Sequence, residues 1–307
     1  MIKRTLYFGN PAYLCRRDAQ LVVRTPQDEQ PNLKNETVIP IEDIGVVILD
    51  NAQVTITQAA LESLLENNVA LITCDATHHP VGLMLPLDRH HRQSAYFQAQ
   101  IAASEPLKKQ LWAQTVKAKI QNQAVLLERA TGMKATRLRE LASQVRSGDV
   151  DNCESAASVY YWKHLFSKAN LPEPFKRNRK GLPPNNLLNY IYAVLRAIVA
   201  RGLVSSGLLP TLGIFHRNQY NAYCLADDIM EPYRPFADAI VLEIVLSGEP
   251  YEEITKEIKS KLLTLPVQDI YIGGERSPLM VGLQQTTASL ARCFEGKSRK
   301  IVFPEWV

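Results

Sequence analysis

Val81-Gly82-Leu83-Met84-Leu85-Pro86-Leu87-Asp88-Arg89-His90-His91-Arg92-Gln93-Ser94 is the stretch across which the chain changes its hydrophobic period. Before it lie short, β-branched runs: Thr5–Phe8, Leu21–Val23, Thr37–Pro40, Gly45–Leu49, Val54–Ile56 and Ala70–Cys74. Breakers such as Gly9-Asn10-Pro11 and Asp50-Asn51 separate them, so they read as strands. One helix interrupts, from Gln58 to Asn67, with Ala59, Leu61, Leu64 and Leu65 on its apolar side.

After the stretch, from about Ser94, nearly everything has helical spacing. Leu111, Trp112, Thr115, Ile120, Ala124 and Leu127 mark a long helix from Lys108 to Ala130. Further helices are expected at Arg137–Arg146, Cys153–Lys168, Asn186–Val204, Pro235–Leu246, Glu252–Leu263 and Leu279–Phe294. The expected fold is therefore α+β. A small β-rich, β-sandwich-like N-terminal domain over residues 1–90 precedes a larger all-α domain over 91–307, the boundary falling in the charged segment Asp88–Arg92. No internal repeat is visible.

Composition narrows the class. With 307 residues, 46% hydrophobic and 21% charged, the chain can build two real cores and is not a disordered or low-complexity protein. A net charge of +4 permits nucleic-acid binding without arguing for it. Cys15, Cys74, Cys153, Cys224 and Cys293 lie far apart with no CxxC pair, which speaks against a disulfide framework and against a zinc knuckle. The start, Met1-Ile2-Lys3-Arg4-Thr5-Leu6, lacks a signal-type apolar region. The longest apolar stretch, Leu187 to Val204, is interrupted by Asn189, Arg196 and Arg201 and reads as a buried helix, not a span. A soluble cytoplasmic protein without membrane association is expected. The pairs His78-His79 and His90-His91 point in different directions in any regular element, so neither makes a metal site by itself.

Chemistry is suggested by three places in the second half. Glu154 sits at the start of the helix Cys153–Lys168, on a stripe with Ala157, Ser158, Tyr161 and Leu165; Ala156, Val159 and Phe166 on the other side make much of this helix buried by expectation. A carboxylate there needs a partner, although Asp151 and Glu154 also fit a capping box with Asp151 as N-cap. His216 follows the apolar run Leu208–Phe215, where a histidine is ordinarily just hydrogen-bonded. Asp227, Asp228 and Glu231 form the densest acidic cluster of this region; Asp228 and Glu231 face one side of a helix at a spacing of three, and Pro232 makes Glu231 a turn residue by expectation. Each place has an ordinary structural explanation. Together they offer a hard nitrogen-and-oxygen ligand set suited to Mn²⁺ or Mg²⁺, which can polarise a phosphoryl group. The basic segment Lys176, Arg177, Arg179, Lys180, flanked by prolines, could grip phosphates, with Arg196 and Arg201 on the next helix. Solvation alone also explains such a loop.

Several stretches resemble one family closely. They are Met1–Pro11, Ile39-Pro40-Ile41-Glu42-Asp43-Ile44-Gly45, Asn185–Tyr190, Gly213-Ile214-Phe215-His216-Arg217-Asn218 and Leu225-Ala226-Asp227-Asp228-Ile229-Met230-Glu231-Pro232-Tyr233-Arg234-Pro235. Over essentially its whole length the chain resembles the CRISPR-associated adaptation endonuclease/integrase, the first Cas protein family, in the version found beside the large RNA-guided nuclease of type II systems. The resemblance implies a β-rich dimerisation domain and a helical catalytic domain. It implies metal ligands at Glu154, His216 and Glu231, with Asp228 as an auxiliary acid and Arg217 among the residues facing DNA. It further implies transesterification, in which the 3′-hydroxyl of a spacer duplex attacks a phosphodiester at the edge of a CRISPR repeat. The implied partners are DNA, a second copy of the chain, the small second adaptation protein and, as a further candidate, the type II nuclease. One departure is Ile191, between Tyr190 and Tyr192, where the family usually carries glycine. A stand-alone metal-dependent nuclease and a non-catalytic DNA-binding subunit remain alternatives.

Overall fold

The structure, a computed structural model, describes residues 3–26, 36–88, 90–169 and 171–306. Met1 and Ile2 of the first resembling stretch, and Arg89 of the expected boundary, lie outside them. The chain divides into two compact units, Met1–His91 and Arg92–Val307.

Among its described residues the first unit holds two four-stranded sheets. One, in the order β1-β5-β7-β8, is built from β1 (Arg4–Phe8), β5 (Ile44–Leu49), β7 (Ala70–Cys74) and β8 (Pro80–Met84). The first three run parallel and β8 closes antiparallel on β7. The other, β4-β3-β2-β6, comprises β4 (Thr37–Pro40), β3 (Gln20–Arg24), β2 (Ala12–Arg17) and β6 (Val54–Ile56). Helix α1 (Gln58–Glu66), capped by the Thr57 hydroxyl accepting from Ala60 N, shares one apolar core with both sheets through Ala60 and Leu64. Strand β2 escapes the sequence pattern because only Ala12 and Leu14 face inward while Arg16 and Arg17 face solvent. Val46, Val47 and Ile48 in β5 are fully buried, as the continuous apolar run of a central parallel strand requires.

The second unit is built around α3 (Glu105–Thr131), longer than the periodicity predicts at both ends. The Ser104 hydroxyl caps its start by accepting from Leu107 N, and Gly132 in the left-handed region ends it. Around it lie α2 (Gln93–Ile101), α4 (Thr136–Gln144), α5 (Cys153–Leu165), α6 (Asn185–Ser205), α7 (Cys224–Met230), α8 (Arg234–Leu246), α9 (Lys256–Leu262) and α10 (Leu279–Phe294). Helix α6 is long and apolar enough to cross a membrane by composition, but most of its apolar window is buried inside the protein, as a core helix would be. Ile191 is completely buried in it, beside the equally buried Tyr190.

The expectation of an all-α second domain is corrected by a hairpin, β9 (Asp269–Ile272) paired antiparallel with β10 (Glu275–Pro278). Gly273 and Gly274 at φ 60° and 90° make its two-residue turn. Tyr271 also bridges Glu305 near the end of the chain. These strands are only four residues long and β10 is polar, so helical neighbours mask them in a periodicity scan. The Gly-Gly pair was the available signal.

Candidate active site

Helix α5 starts differently from the expected capping box. Its first turn is held by Asp149, whose carboxylate accepts from Cys153 N at 2.9 Å and Glu154 N at 3.0 Å. Asp151 is instead paired with Arg146 at 2.5–2.6 Å. The capping work falls to Asp149, which leaves the Glu154 side chain unused by the helix end. It accepts from Lys119 and, at 3.3 Å, from the Ser158 hydroxyl. The outer side of α5 is also more open than its apolar residues suggest: Val159 is 69% exposed.

Glu231 is not a turn residue. Its backbone is right-handed helical, and the chain passes from α7 through a short 3-10 turn, Glu231–Tyr233, directly into α8. The bias of the position before proline is overridden because Pro232 falls in the first turn of that new segment, where its missing N–H costs nothing. Asn122 of α3 secures the junction by donating to Pro232 O at 2.9 Å. Glu231 is buried, and Lys119 Nζ lies 2.7 Å from its Oε2 while Arg234 Nη1 lies 3.1 Å from its Oε1. Burial would raise the Glu231 pKa, but Arg234 and Lys119 more than offset it and hold the carboxyl below its usual range. One ammonium thus brings Glu154 and Glu231 to a common point from residues 77 apart in sequence.

His216 and Asp228 form a second pair. Asp228 is completely buried and accepts from four donors. Three are backbone amides, of Ile214 at 2.7 Å, Phe215 at 3.0 Å and His216 at 3.2 Å; the fourth is His216 Nδ1 at 2.5 Å. The loop wraps this carboxylate so tightly that a Cβ on Gly213 would stand 2.3 Å from His216 O and 2.9 Å from Asp228 Oδ2. The bond to Asp228 raises the His216 pKa despite burial of the ring, and the Glu231 and Asp227 charges add to it. Burial pushes the Asp228 carboxyl up, while His216 and the amides pull it back. Trp112 of α3 stacks on Phe215, centroids 4.2 Å apart, and meets the His216 ring edge-on. His216 faces an open cleft of about 440 Å³ that Gln100, Lys108, Arg217 and Asn221 also line.

The predicted basic residues divide. Lys176, Arg179 and Lys180 are exposed on their loop. Arg177 donates to Asn185 and Asn189 and lies over the Tyr192 ring, 5.4 Å from its centroid, and Arg234 contacts the same ring at 5.0 Å. Tyr192 therefore links the basic loop to the arginine that pairs with Glu231. Arg217 is exposed and paired with Glu105. Arg196 forks onto Asp227 at 2.6 and 3.1 Å, with Asn221 on the same carboxylate, so it anchors α7. Arg201 is 2% exposed and burial lowers its pKa to about 10; the expected role in gripping phosphates is corrected here, since its guanidinium is withdrawn into the core.

The donor set fits a hard divalent cation. Glu154 and Glu231 supply oxygens, and His216, with Nδ1 committed to Asp228, leaves Nε2 as its free nitrogen, the arrangement by which a carboxylate orients a metal-binding imidazole. Glu231 Oε2 is a buried oxygen with an ion-pair neighbour and no hydrogen bond of good geometry, an atom poised to take a cation. Among the described residues, no three His, Cys, Asp or Glu side chains yet converge on one point. Lys119 stands where Glu154 and Glu231 meet. Sequence reasoning missed Lys119, Asp149, Trp112 and the role of Arg234; a lysine on the inner face of a long helix, between Val116 and Ile120, was the signal for the first.

The chain as a whole has relatives among known proteins. The profile of the family described as CRISPR associated protein Cas1 matches residues 6–263. A CRISPR-associated endonuclease Cas1 of Neisseria meningitidis serogroup C (strain 8013) is 39% identical over 307 residues, covering 99% of this chain and 97% of the relative. Among solved structures, one described as a casposase bound to integration product superposes with a TM-score of 0.76 at 20% identity, covering 98% of this chain and 92% of its own. A Cas6-RT-Cas1–Cas2 complex gives 0.75 at 19% identity over 97% of this chain and 35% of that longer one. The structural likenesses establish a shared fold, and the profile with the near end-to-end relative establishes kinship: the chain belongs to the CRISPR associated protein Cas1 family.

Proposed function

We propose that this chain is the DNA integrase of CRISPR adaptation, joining the 3′-hydroxyl ends of a spacer duplex to the CRISPR repeat by transesterification, with a metal ion held by Glu154, His216 and Glu231. The observation that carries the reading is the meeting of Glu154 and Glu231 at one point of the second unit, on the Lys119 side chain of the same helix whose Trp112 lies edge-on against His216. Family membership supports the same reading. In the reaction the attacking 3′-oxygen forms a new bond to phosphorus, and the repeat strand's own bond from phosphorus to its 3′-oxygen breaks, leaving a hydroxyl.

Bound Mg²⁺ or Mn²⁺ would supply Lewis-acid activation of the hydroxyl and neutralise charge on the transferring phosphoryl group. The chain's own residues do the positioning. Asp228 holds the His216 ring through Nδ1, which leaves Nε2 as the ring nitrogen that would take the metal. Arg234, rigid and always charged, stays beside Glu231 and contributes positive potential where phosphate charge builds. Lys108 and Arg217 line the cleft beside His216, and exposed Lys176, Arg179 and Lys180 offer phosphate contacts further out. The first unit serves dimerisation, and a small second adaptation protein bridges two dimers so that both spacer ends are presented; the Cas1–Cas2 complexes among the fold relatives support such a partner. The type II nuclease is a further candidate partner, and the assembly works in the cytoplasm.

The test uses a labelled duplex with free 3′-hydroxyl ends, a supercoiled plasmid carrying a repeat, the second adaptation protein and Mn²⁺ or Mg²⁺. Joining by the wild type and not by Glu154→Ala or His216→Ala is expected. Nicking without joining would favour a stand-alone nuclease, and equal joining by all three proteins would sink the ligand assignment.

A further inference from the structure

Lys119 is the least expected charge in the second unit. Its side chain is 6% exposed, on the inner face of α3, and it contacts Glu154 Oε1 and Glu231 Oε2 at once. Removing a lysine's charge from water is costly, so a buried ammonium persists only where its partners hold it. Here two carboxylates stand within ion-pair distance of one ammonium and hold it in place. The two carboxylates need it equally. Without a cation between them, two negative charges at one point of a low-dielectric interior would repel.

We propose that Lys119 is a built-in counter-ion that holds Glu154 and Glu231 together in the metal-free protein and is displaced when a divalent cation binds. The proposal rests on the metal-site reading above and deepens it. A divalent ion bonds carboxylate oxygens at about 2.0–2.1 Å, inside the distance the ammonium now keeps, and it repels that ammonium. The same oxygen atoms cannot serve both. Lysine suits the exchange because its charge rides on a flexible four-carbon stem and can withdraw without backbone movement, whereas Arg234, a planar fork on the other oxygen of Glu231, remains. Glu154, with 29% of its side chain exposed against 5% for Glu231, marks the side from which the ion arrives. Two consequences follow for the site. Its acids stay assembled between metal-binding events, and a monovalent ion, bringing no more charge than Lys119 already supplies, gains nothing by replacing it.

Lys119→Met and Lys119→Gln separate this from a purely structural role. In EDTA both variants are expected to melt several degrees below the wild type, because Glu154 and Glu231 lose the cation they share. Calorimetric titration with MnCl₂ is expected to show both binding Mn²⁺ at least about tenfold more tightly than the wild type, a difference of about 1.4 kcal/mol. Saturating Mn²⁺ should then restore most of the lost melting temperature, and more of it than the ion adds to the wild type. Glu154→Gln should abolish tight Mn²⁺ binding in either background. Unchanged or weaker Mn²⁺ binding by a folded Lys119 variant overturns the exchange. Should neither variant fold, the wild type labelled with ¹⁵N-lysine decides: a slowly exchanging ammonium resonance that survives saturating Mg²⁺ refutes displacement, and its loss or shift supports it. If wild type and variants alike bind no Mn²⁺, the metal site itself is wrong and the counter-ion proposal falls with it.

Discussion

Replacing Asp228 by asparagine tests the loop that presents His216. The aspartate accepts from four donors, two on each oxygen, and its side chain is sealed from water. Asparagine keeps one oxygen. If that oxygen faces Ile214 and Phe215 N–H, the new amide group faces the ring and backbone donors of His216; the opposite rotamer reverses the conflict. Two hydrogen bonds to a buried charge are lost either way, at about 1.5–3 kcal/mol each, so urea unfolding should report a loss of about 3–6 kcal/mol. The chemistry should suffer independently of folding. Losing the acceptor for Nδ1 frees the imidazole to turn and change tautomer, and disruptions of this kind cost about 10–100-fold in metal affinity or activity. Circular dichroism in urea, Mn²⁺ titration and strand joining, all at a temperature where the variant is folded, give the three readouts. A variant within about 1 kcal/mol of the wild type that joins DNA at the same rate would show that the buried clasp does not position His216.

Four further predictions concern the surroundings. Asp238 accepts from Tyr192 and Tyr161 hydroxyls at 2.5 and 2.8 Å, and burial raises its pKa from the ordinary 3.8 to about 6. The folded state therefore binds this proton more tightly than the unfolded one, so the contribution of Asp238 to stability is fully present below about pH 4, is lost as pH rises toward 6 and is flat above, a loss of about 3 kcal/mol from this group alone. In Asp238→Asn that slope should vanish, and an identical pH profile in the two proteins would contradict the account. Gly213→Ala drives a methyl group into His216 O and should cost about 1–3 kcal/mol with a larger loss of joining, read by melting and the plasmid assay; unaltered joining would mean the loop has room to yield. Arg179→Ala and Lys180→Ala should each lower the slope of log affinity against log salt for DNA by about 1. Arg201→Ala should leave that slope intact and lower the melting temperature, and a reduced slope instead would mean that its buried guanidinium reaches the nucleic acid.

Periodicity made the layout of both units legible because hydrophobic burial writes directly into spacing. The β-branched runs and the helix at Gln58 stand within a residue or two of their predicted bounds. Elements governed by other forces were not legible. Strand β2 shows too few inward residues, β10 is polar, and the N-terminal end of α3 depends on a single serine hydroxyl. At the site the acids were visible as an acidic cluster beside a histidine, since residue type alone marks them. Their counter-charges were not, because Lys119 lies 35 residues before Glu154 and 112 before Glu231, and only the fold brings it to them. Arg201 misled for the same reason: its burial in a helix interior is a tertiary fact.

Helix α3 touches the site at three levels, Trp112 against the His216 ring, Lys119 between Glu154 and Glu231, and Asn122 beneath Pro232. The three positions span less than three helical turns of one continuous rod capped at both ends. Activity and integrity are thereby fused. No partial opening that unzips α3 can leave a half-working catalyst, so denaturant should extinguish joining and melt this helix in a single step, with no inactive yet folded plateau between.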